Sequence, residues 1–348
     1  MQGVVFVGDR KLELREFPDP TPGPREVVLE IKASGMCGSD LHTYRAPFAP
    51  GEVTGGIKRG VVIAGHEPCG VVAAVGTGVA PSDARVGQRV MDHHYQGCGG
   101  CKHCRSGWTQ MCLDGSIVFG ASGHGGHARY MKVPVETLVP LPDALSFEAG
   151  AAVSCGTGTA YGALKRLALQ GGETIAVFGQ GPVGLSATQL AVAMGARVIA
   201  LDVAPERRTL AREFGAHEVI DARSNNPVEA IRELTHGEGA HKTLDTSGAA
   251  EARAAAVRST RSWGTACFVG ERGQVTLDVS PDLLRRQITL VGSWTFSRQG
   301  QAECAEFVAD HAIPVDRLFT HRWRLDQAAE AYRLFDTQTT GKGVILPS

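Results

Sequence analysis

The sequence predicts an α/β protein with a β-rich domain, a doubly wound parallel-sheet domain inserted after it, and a tail that rejoins the first. Three observations predict this. The chain has 348 residues, more than the ~100–200 of one usual domain. Its first half holds short β-like runs broken by glycine and proline, with no sustained helical period. From about Thr157 strands and helices alternate, which implies a parallel sheet covered on both faces.

In the first part Val27–Ala33, Gly70–Val75 and Arg89–Met91 read as strands, after proline-rich punctuation over Pro18–Pro24. The second part opens with a buried-type strand at Thr174–Phe178 and a helix at Gly184–Met194. A strand at Arg197–Asp202 and a helix at Pro205–Phe214 follow, then strands at Lys242–Asp245, Thr265–Val269 and Thr289–Gly292. The tail holds helical runs near Ala302–Asp310 and Leu325–Leu334 and a strand at Gly343–Leu346. The expected boundaries are 1–156, 157–294 and a return over 295–348.

Apolar residues make up 43% and charged residues 20%, a balance that excludes intrinsic disorder. Lys plus Arg total 35 against 36 for Asp plus Glu. The basic field that a nucleic acid or an anionic membrane would require is therefore missing. No apolar run approaches the ~20 residues of a membrane span, and Met1–Lys11 does not read as a secretory signal. The expected compartment is the cytoplasm. Nine cysteines, an odd number, argue for metal or redox chemistry over a disulfide framework.

Gly179-Gln180-Gly181-Pro182-Val183-Gly184 is a GxGxxG directly after a strand and opening a helix. Such glycines let the backbone approach a pyrophosphate, whose charge is favoured at the helix N-terminus. Asp202 ends the next strand, roughly 20 residues on, where a carboxylate accepts ribose hydroxyls and repels a 2′-phosphate. This pattern points to NAD over NADP. Arg207 either brackets the ribose or is a solvated helix charge.

Cys98-x2-Cys101-x2-Cys104-x7-Cys112 places four soft ligands in a lobe at about 97–113. Four thiolates close a tetrahedral zinc shell with no open position, which makes it a structural site. An iron–sulfur reading lacks the Cys-Pro ending. A nucleic-acid zinc ribbon lacks basic and aromatic company, since Lys102, His103 and Arg105 are too few.

Three further segments carry chemistry: Cys37-Gly38-Ser39-Asp40-Leu41-His42, Gly65-His66-Glu67 and Ser154-Cys155-Gly156-Thr157. Singly each has a plain reading, as buried cysteine or core histidine. Together with the cysteine cluster and the phosphate loop, the chain resembles the zinc-dependent medium-chain alcohol dehydrogenases, in the branch of polyol and threonine dehydrogenases, over essentially its whole length. The resemblance implies a GroES-like catalytic domain and a Rossmann domain, with two zinc ions per subunit and NAD. It makes Cys37, His66 and Cys155 the catalytic zinc ligands, leaving a fourth place open. Glu67 becomes a nearby carboxylate able to exchange onto the metal, and Asp40 orients His66. Ser39 takes the alcohol proton and His42 passes it on. Thr159 touches the nicotinamide carboxamide, and Val183 packs behind its ring. Gly179, Gly181, Pro182 and Gly184 carry the phosphates, and Cys98, Cys101, Cys104 and Cys112 hold the structural zinc. Zinc acts as a Lewis acid on the bound hydroxyl, while NAD carries the redox step. The family forms homodimers or homotetramers, and Thr289–Gly292 is the candidate pairing edge.

Several residues depart from relatives. Cys155 stands near a position where the polyol and threonine branches commonly have an acid, and Gly38 replaces an arginine. His94 falls where relatives place an aromatic pocket wall, with His124-Gly125-Gly126-His127 near it. These histidines either line a polar pocket, which would favour a hydroxylated substrate, or face solvent. Trp294 either edges the pocket or fills the core. The expected function is an NAD-dependent zinc oxidoreductase converting a secondary, polyol- or sugar-like alcohol into a ketone. An amino-alcohol dehydrogenase of the L-threonine 3-dehydrogenase type and a simple alcohol dehydrogenase stand as alternatives. A non-catalytic metal- or redox-sensing protein on the same fold is the reading from another class.

Overall fold

Val27, Leu29 and Ile31 alternate along Glu26–Gly35 and are fully buried, and this ten-residue strand is the axis of the first unit. The computed structural model describes residues 1–47, 61–339 and 341–347, with the short strands Val53–Thr54 and Ile57–Lys58. Two compact units form, one from Met1–Gly158 with Phe296–Ser348, the other from Thr159–Thr295.

In the first unit Glu26–Gly35 pairs antiparallel with Glu67–Val75, Tyr130–Pro134 and Lys342–Leu346. Arg89–Asp92 and Leu138–Pro140 extend the sheet beyond Glu67–Val75, and Phe319–Arg324 extends it beyond Lys342–Leu346. One core gathers Val27, Leu29, Ile31, Val72, Val90, Met131 and Val133. Another joins Phe6, Met36, Leu41 and Tyr44 to Tyr332, Phe335 and Ile345 of the tail. The last strand begins at Lys342, one residue before the expected Gly343, because Lys342 pairs with Phe319. The second tail helix is Ala328–Phe335, entered through a 3₁₀ turn at Leu325–Gln327.

The second unit is a six-stranded parallel sheet in the order Glu218–Asp221, Arg197–Asp202, Thr174–Phe178, Ala240–Asp245, Thr260–Phe268, Thr289–Gly292. All five residues of Thr174–Phe178 are buried, as a central strand covered on both faces requires. The strand order reverses direction beside Thr174–Phe178, the topological switch at which such sheets bind ligands. Val269 lies just outside the strand expected to include it. The first helix starts at Pro182, two residues earlier than periodicity suggests, since proline fits the first helical position.

Candidate metal centre and dinucleotide loop

Strand pairing brings the first cluster together. Gly35 lies opposite Glu67 on one side and Val344 on the other, so Cys37, His66, Glu67 and Lys342 converge at one end of the sheet. A Cβ on Gly35 would lie 2.0 Å from Glu67 Oε2, so only glycine leaves room for that carboxylate. Cys155 comes from a π-turn, Val153–Thr157, that continues the helix Phe147–Ala152. Such bulges recur at functional positions, and nothing in the local sequence announced this one.

One ligand atom each from Cys37, His66, Glu67 and Cys155 falls within 4.8 Å of all the others. The two sulfurs are 3.9 Å apart, close to the ~3.8 Å edge of a tetrahedron with metal–sulfur bonds of ~2.3 Å. Asp40 Oδ1 is 2.8 Å from His66 Nδ1, which leaves Nε2 free to ligate. Asp40 Oδ2 accepts the Cys37 backbone N–H at 2.8 Å. Ser39 Oγ lies 3.2 Å from His66 Nε2. The hydrogen bond from Cys155, against the effect of burial, holds the Cys37 thiol well below its ordinary range. That same bond, with burial, pushes Cys155 well above it. With a metal displacing the Cys155 proton, two thiolates and a carboxylate against the Lys342 ammonium would leave two negative charges, which a dication would neutralise. The donor set fits zinc.

The four cysteine sulfurs of the lobe likewise lie within 4.8 Å of one another. Backbone N–H groups of Cys98 and Cys101 point at the sulfurs of Cys112 and Cys98, each at 3.3 Å. Backbone donors, that of Cys104 foremost, hold Cys101 down at about 6. This favours the thiolate, the ligand form, at Cys101, and the backbone N–H of Cys98 does the same for Cys112, whereas burial raises Cys104 to about 12.

Of the histidines expected either at a pocket or in solvent, His124 is exposed, whereas His94 and His127 are buried. His94 Nδ1 is 3.1 Å from the Ser154 carbonyl, and its ring meets that of His66 edge-on at 5.1 Å. His127 is no pocket wall; it bonds Tyr332 behind Asp40. His42 is partly exposed on the helix Asp40–Arg45. Tyr332 and Lys342 were not among the sequence candidates, and their contacts with Asp40 and Glu67 span most of the chain.

In the second unit Gly179 has φ of 87°, and a Cβ on Gly184 would lie 1.9 Å from the Gly179 carbonyl oxygen. Gly181 caps the helix and Pro182 and Val183 open it. Asp202 is buried and ties the loop down. Its Oδ2 accepts the Gln180 N–H at 2.6 Å and its Oδ1 that of Ala204 at 2.8 Å. Arg207 Nη1 is 3.9 Å from Asp202 Oδ2. Thr159 is buried in the helix Gly158–Arg166. Trp294 is half-exposed, its indole N–H donating to Glu271 Oε1 at 2.6 Å.

A parallel-sheet unit with a dinucleotide-type loop, in one chain with two zinc-type donor sets, defines a metal-dependent dehydrogenase. Residues 23–143 match the alcohol dehydrogenase GroES-like domain and residues 182–311 the zinc-binding dehydrogenase model. The uncharacterized zinc-type alcohol dehydrogenase-like protein YphC of Escherichia coli (strain K12) is 40% identical over 99% of this chain and 98% of its own. Sorbitol dehydrogenase of Bacillus subtilis (strain 168) is 30% identical over 95% and 92%. The alcohol dehydrogenase TADH from Thermus sp. ATN1 superposes with a TM-score of 0.88 at 29% identity, covering 99% of both chains. The chain belongs to the zinc-dependent medium-chain alcohol dehydrogenase family, an oxidoreductase acting on CH–OH donors. No helix among the described residues is long and apolar enough to cross a membrane.

Proposed function

We propose that the protein oxidises a secondary, polyol- or sugar-like alcohol to a ketone with NAD. The convergence of Cys37, His66 and Cys155 with Glu67, four residues from three separated segments meeting within 4.8 Å, carries this reading. Zinc held by Cys37, His66 and Cys155 would supply Lewis acidity toward the substrate hydroxyl, and NAD at the glycine loop would supply the hydride acceptor. Asp40 holds the Nδ1–H of His66 so that Nε2 faces the metal. Ser39, exposed beside His66, takes the hydroxyl proton, and His42 one turn on passes it to solvent. Asp202 at the end of its strand favours NAD by charge. The buried imidazole of His94 next to His66 supports a hydroxylated substrate, because a polar wall disfavours a plain hydrocarbon.

We further propose that copies of the chain pair along Thr289–Gly292, the end strand of the parallel sheet, where Leu290 is exposed. Crosslinking that finds only monomer would remove that proposal. Nine cysteines, none of them paired in a disulfide, suit a reducing compartment, and we assign the chain to the cytoplasm.

The test combines elemental analysis with NADH absorbance on a panel of secondary alcohols, polyols and amino alcohols, with NAD and NADP in parallel. Two zinc ions per chain are expected, with one lost in Cys37→Ala and the other in Cys104→Ala. Turnover on polyols should disappear on chelation. One zinc in the native chain, or no turnover on any alcohol or ketone, would overturn the reading.

A further inference from the structure

Behind the zinc-type cluster a single file of hydrogen bonds runs through side chains that are all buried. Ser34 Oγ lies 2.8 Å from His127 Nδ1, and His127 Nε2 lies 2.7 Å from the Tyr332 hydroxyl. Tyr332 donates to Asp40 Oδ2 at 3.1 Å, and Asp40 Oδ1 faces His66 Nδ1 at 2.8 Å. Ser34, His127 and Tyr332 are each 0% exposed. The file therefore ends inside the protein, which makes it unsuited to carrying protons to solvent.

Its polarity is fixed. A hydroxyl has one hydrogen, and Tyr332 gives that hydrogen to Asp40. His127 Nε2 must then be the donor to Tyr332. Burial, despite Asp40, holds His127 at about 4, so the ring is neutral and Nδ1 accepts from Ser34. At the far end the Asp40 carboxylate accepts the Nδ1–H of His66, and the lone pair is left on Nε2. The donors from Ser34 through Tyr332 all point toward Asp40, and the His66 N–H donates to the same carboxylate from the other side.

We propose that Tyr332, backed by His127, is a positioning residue of the metal centre: it anchors the Asp40 carboxylate and so fixes the ring plane and tautomer of His66. The inference rests on the reading of His66 as a zinc ligand. Of the two hydrogen bonds on Asp40 Oδ2, the backbone of Cys37 makes one and Tyr332 the other. Losing the second leaves the carboxylate free to turn. The plain alternative is packing, because the Tyr332 ring also stacks edge-on with Phe6 at 4.8 Å and Phe335 at 6.4 Å. Tyr332→Phe separates the two, since it removes the hydroxyl and keeps the ring.

The experiment titrates holoenzyme with a chelator and follows both zinc ions, the four-cysteine site serving as internal control. Tyr332→Phe should weaken the His66 zinc by roughly 10- to 100-fold, as outer-shell substitutions do. The four-cysteine zinc should stay unchanged, and the thermal midpoint should fall only modestly, as one buried N–H loses its partner. His127→Asn should loosen the same zinc, and combining it with Tyr332→Phe should add nothing, because His127 acts through Tyr332. Equal chelator midpoints for native and Tyr332→Phe would overturn the inference while leaving the ligand assignment standing. Parallel loss of both zinc ions with a falling thermal midpoint would overturn it in favour of packing. A native chain holding one zinc would overturn the ligand assignment and this inference with it.

Discussion

The ammonium of Lys342 lies 2.7 Å from Oε1 and 2.6 Å from Oε2 of Glu67, and both side chains are sealed from solvent. Lys342 also donates to the Met36 carbonyl at 3.0 Å. Burial works against the ammonium, but Glu67 and Cys37 outweigh it and Lys342 is raised. The last strand of the chain thus delivers one cation to the carboxylate beside the metal cluster.

Lys342→Met keeps the volume and removes the charge. A buried ion pair broken on one side typically costs ~3–5 kcal/mol, because the remaining charge has no partner. Urea unfolding should show a loss of that size, and Glu67→Gln added to Lys342→Met should recover much of it. A single variant as stable as the native protein would mean that Glu67 is not held as an anion by Lys342.

The parallel-sheet unit was legible in the sequence because a strand buried on both faces reads as an unbroken apolar run, as Thr174–Phe178 does. The four-cysteine lobe was legible because its ligands are neighbours in the chain. The last strand was legible at Gly343–Leu346, but its pairing with Glu26–Gly35 was not, since that pairing joins residues at opposite ends of the polypeptide. His127 and Tyr332 are 205 residues apart, so His127 read only as a pocket or solvent histidine and its bond to Tyr332 had no local signal. The π-turn that presents Cys155 is set by packing, with Ser154 bonded to the carbonyls of Pro68 and Gly150, and no local pattern encodes it.

Asp202 gives both oxygens to backbone N–H groups of its own unit, yet a carboxylate has about four acceptor sites and keeps capacity for a ribose. Asp202→Asn removes the charge with little change of shape. A charge-assisted hydrogen bond contributes ~1.5–3 kcal/mol, so kcat/KM for NAD should fall roughly 10- to 100-fold. The ratio of NADP to NAD use should rise as the repulsion of a 2′-phosphate is lifted. An unchanged ratio would remove Asp202 as the selectivity determinant.

His93 offers a test of burial through pH. Its Nδ1 lies 3.1 Å from Gln301 Oε1, and Nε2 has no hydrogen-bond partner among the described residues. Burial brings the ring down to about 4 from 6.5, with Gln301 opposing and Arg298 reinforcing the shift. Between those two values an unfolded chain takes up a proton that the folded chain refuses. Stability from this residue is therefore complete above pH 6.5 and is lost as pH falls through that window toward 4. Over the whole window the loss is about 3 kcal/mol. His127, also held at about 4, acts in the same direction. Asp92, raised to about 7 by burial, acts oppositely, since its folded form gains a proton first as pH falls. The difference between native and His93→Gln isolates the one ring. Urea unfolding at pH 7 and pH 4 should show that difference moving by about 3 kcal/mol in favour of the variant. A difference independent of pH would mean that His93 is protonated in the folded protein or accessible to water.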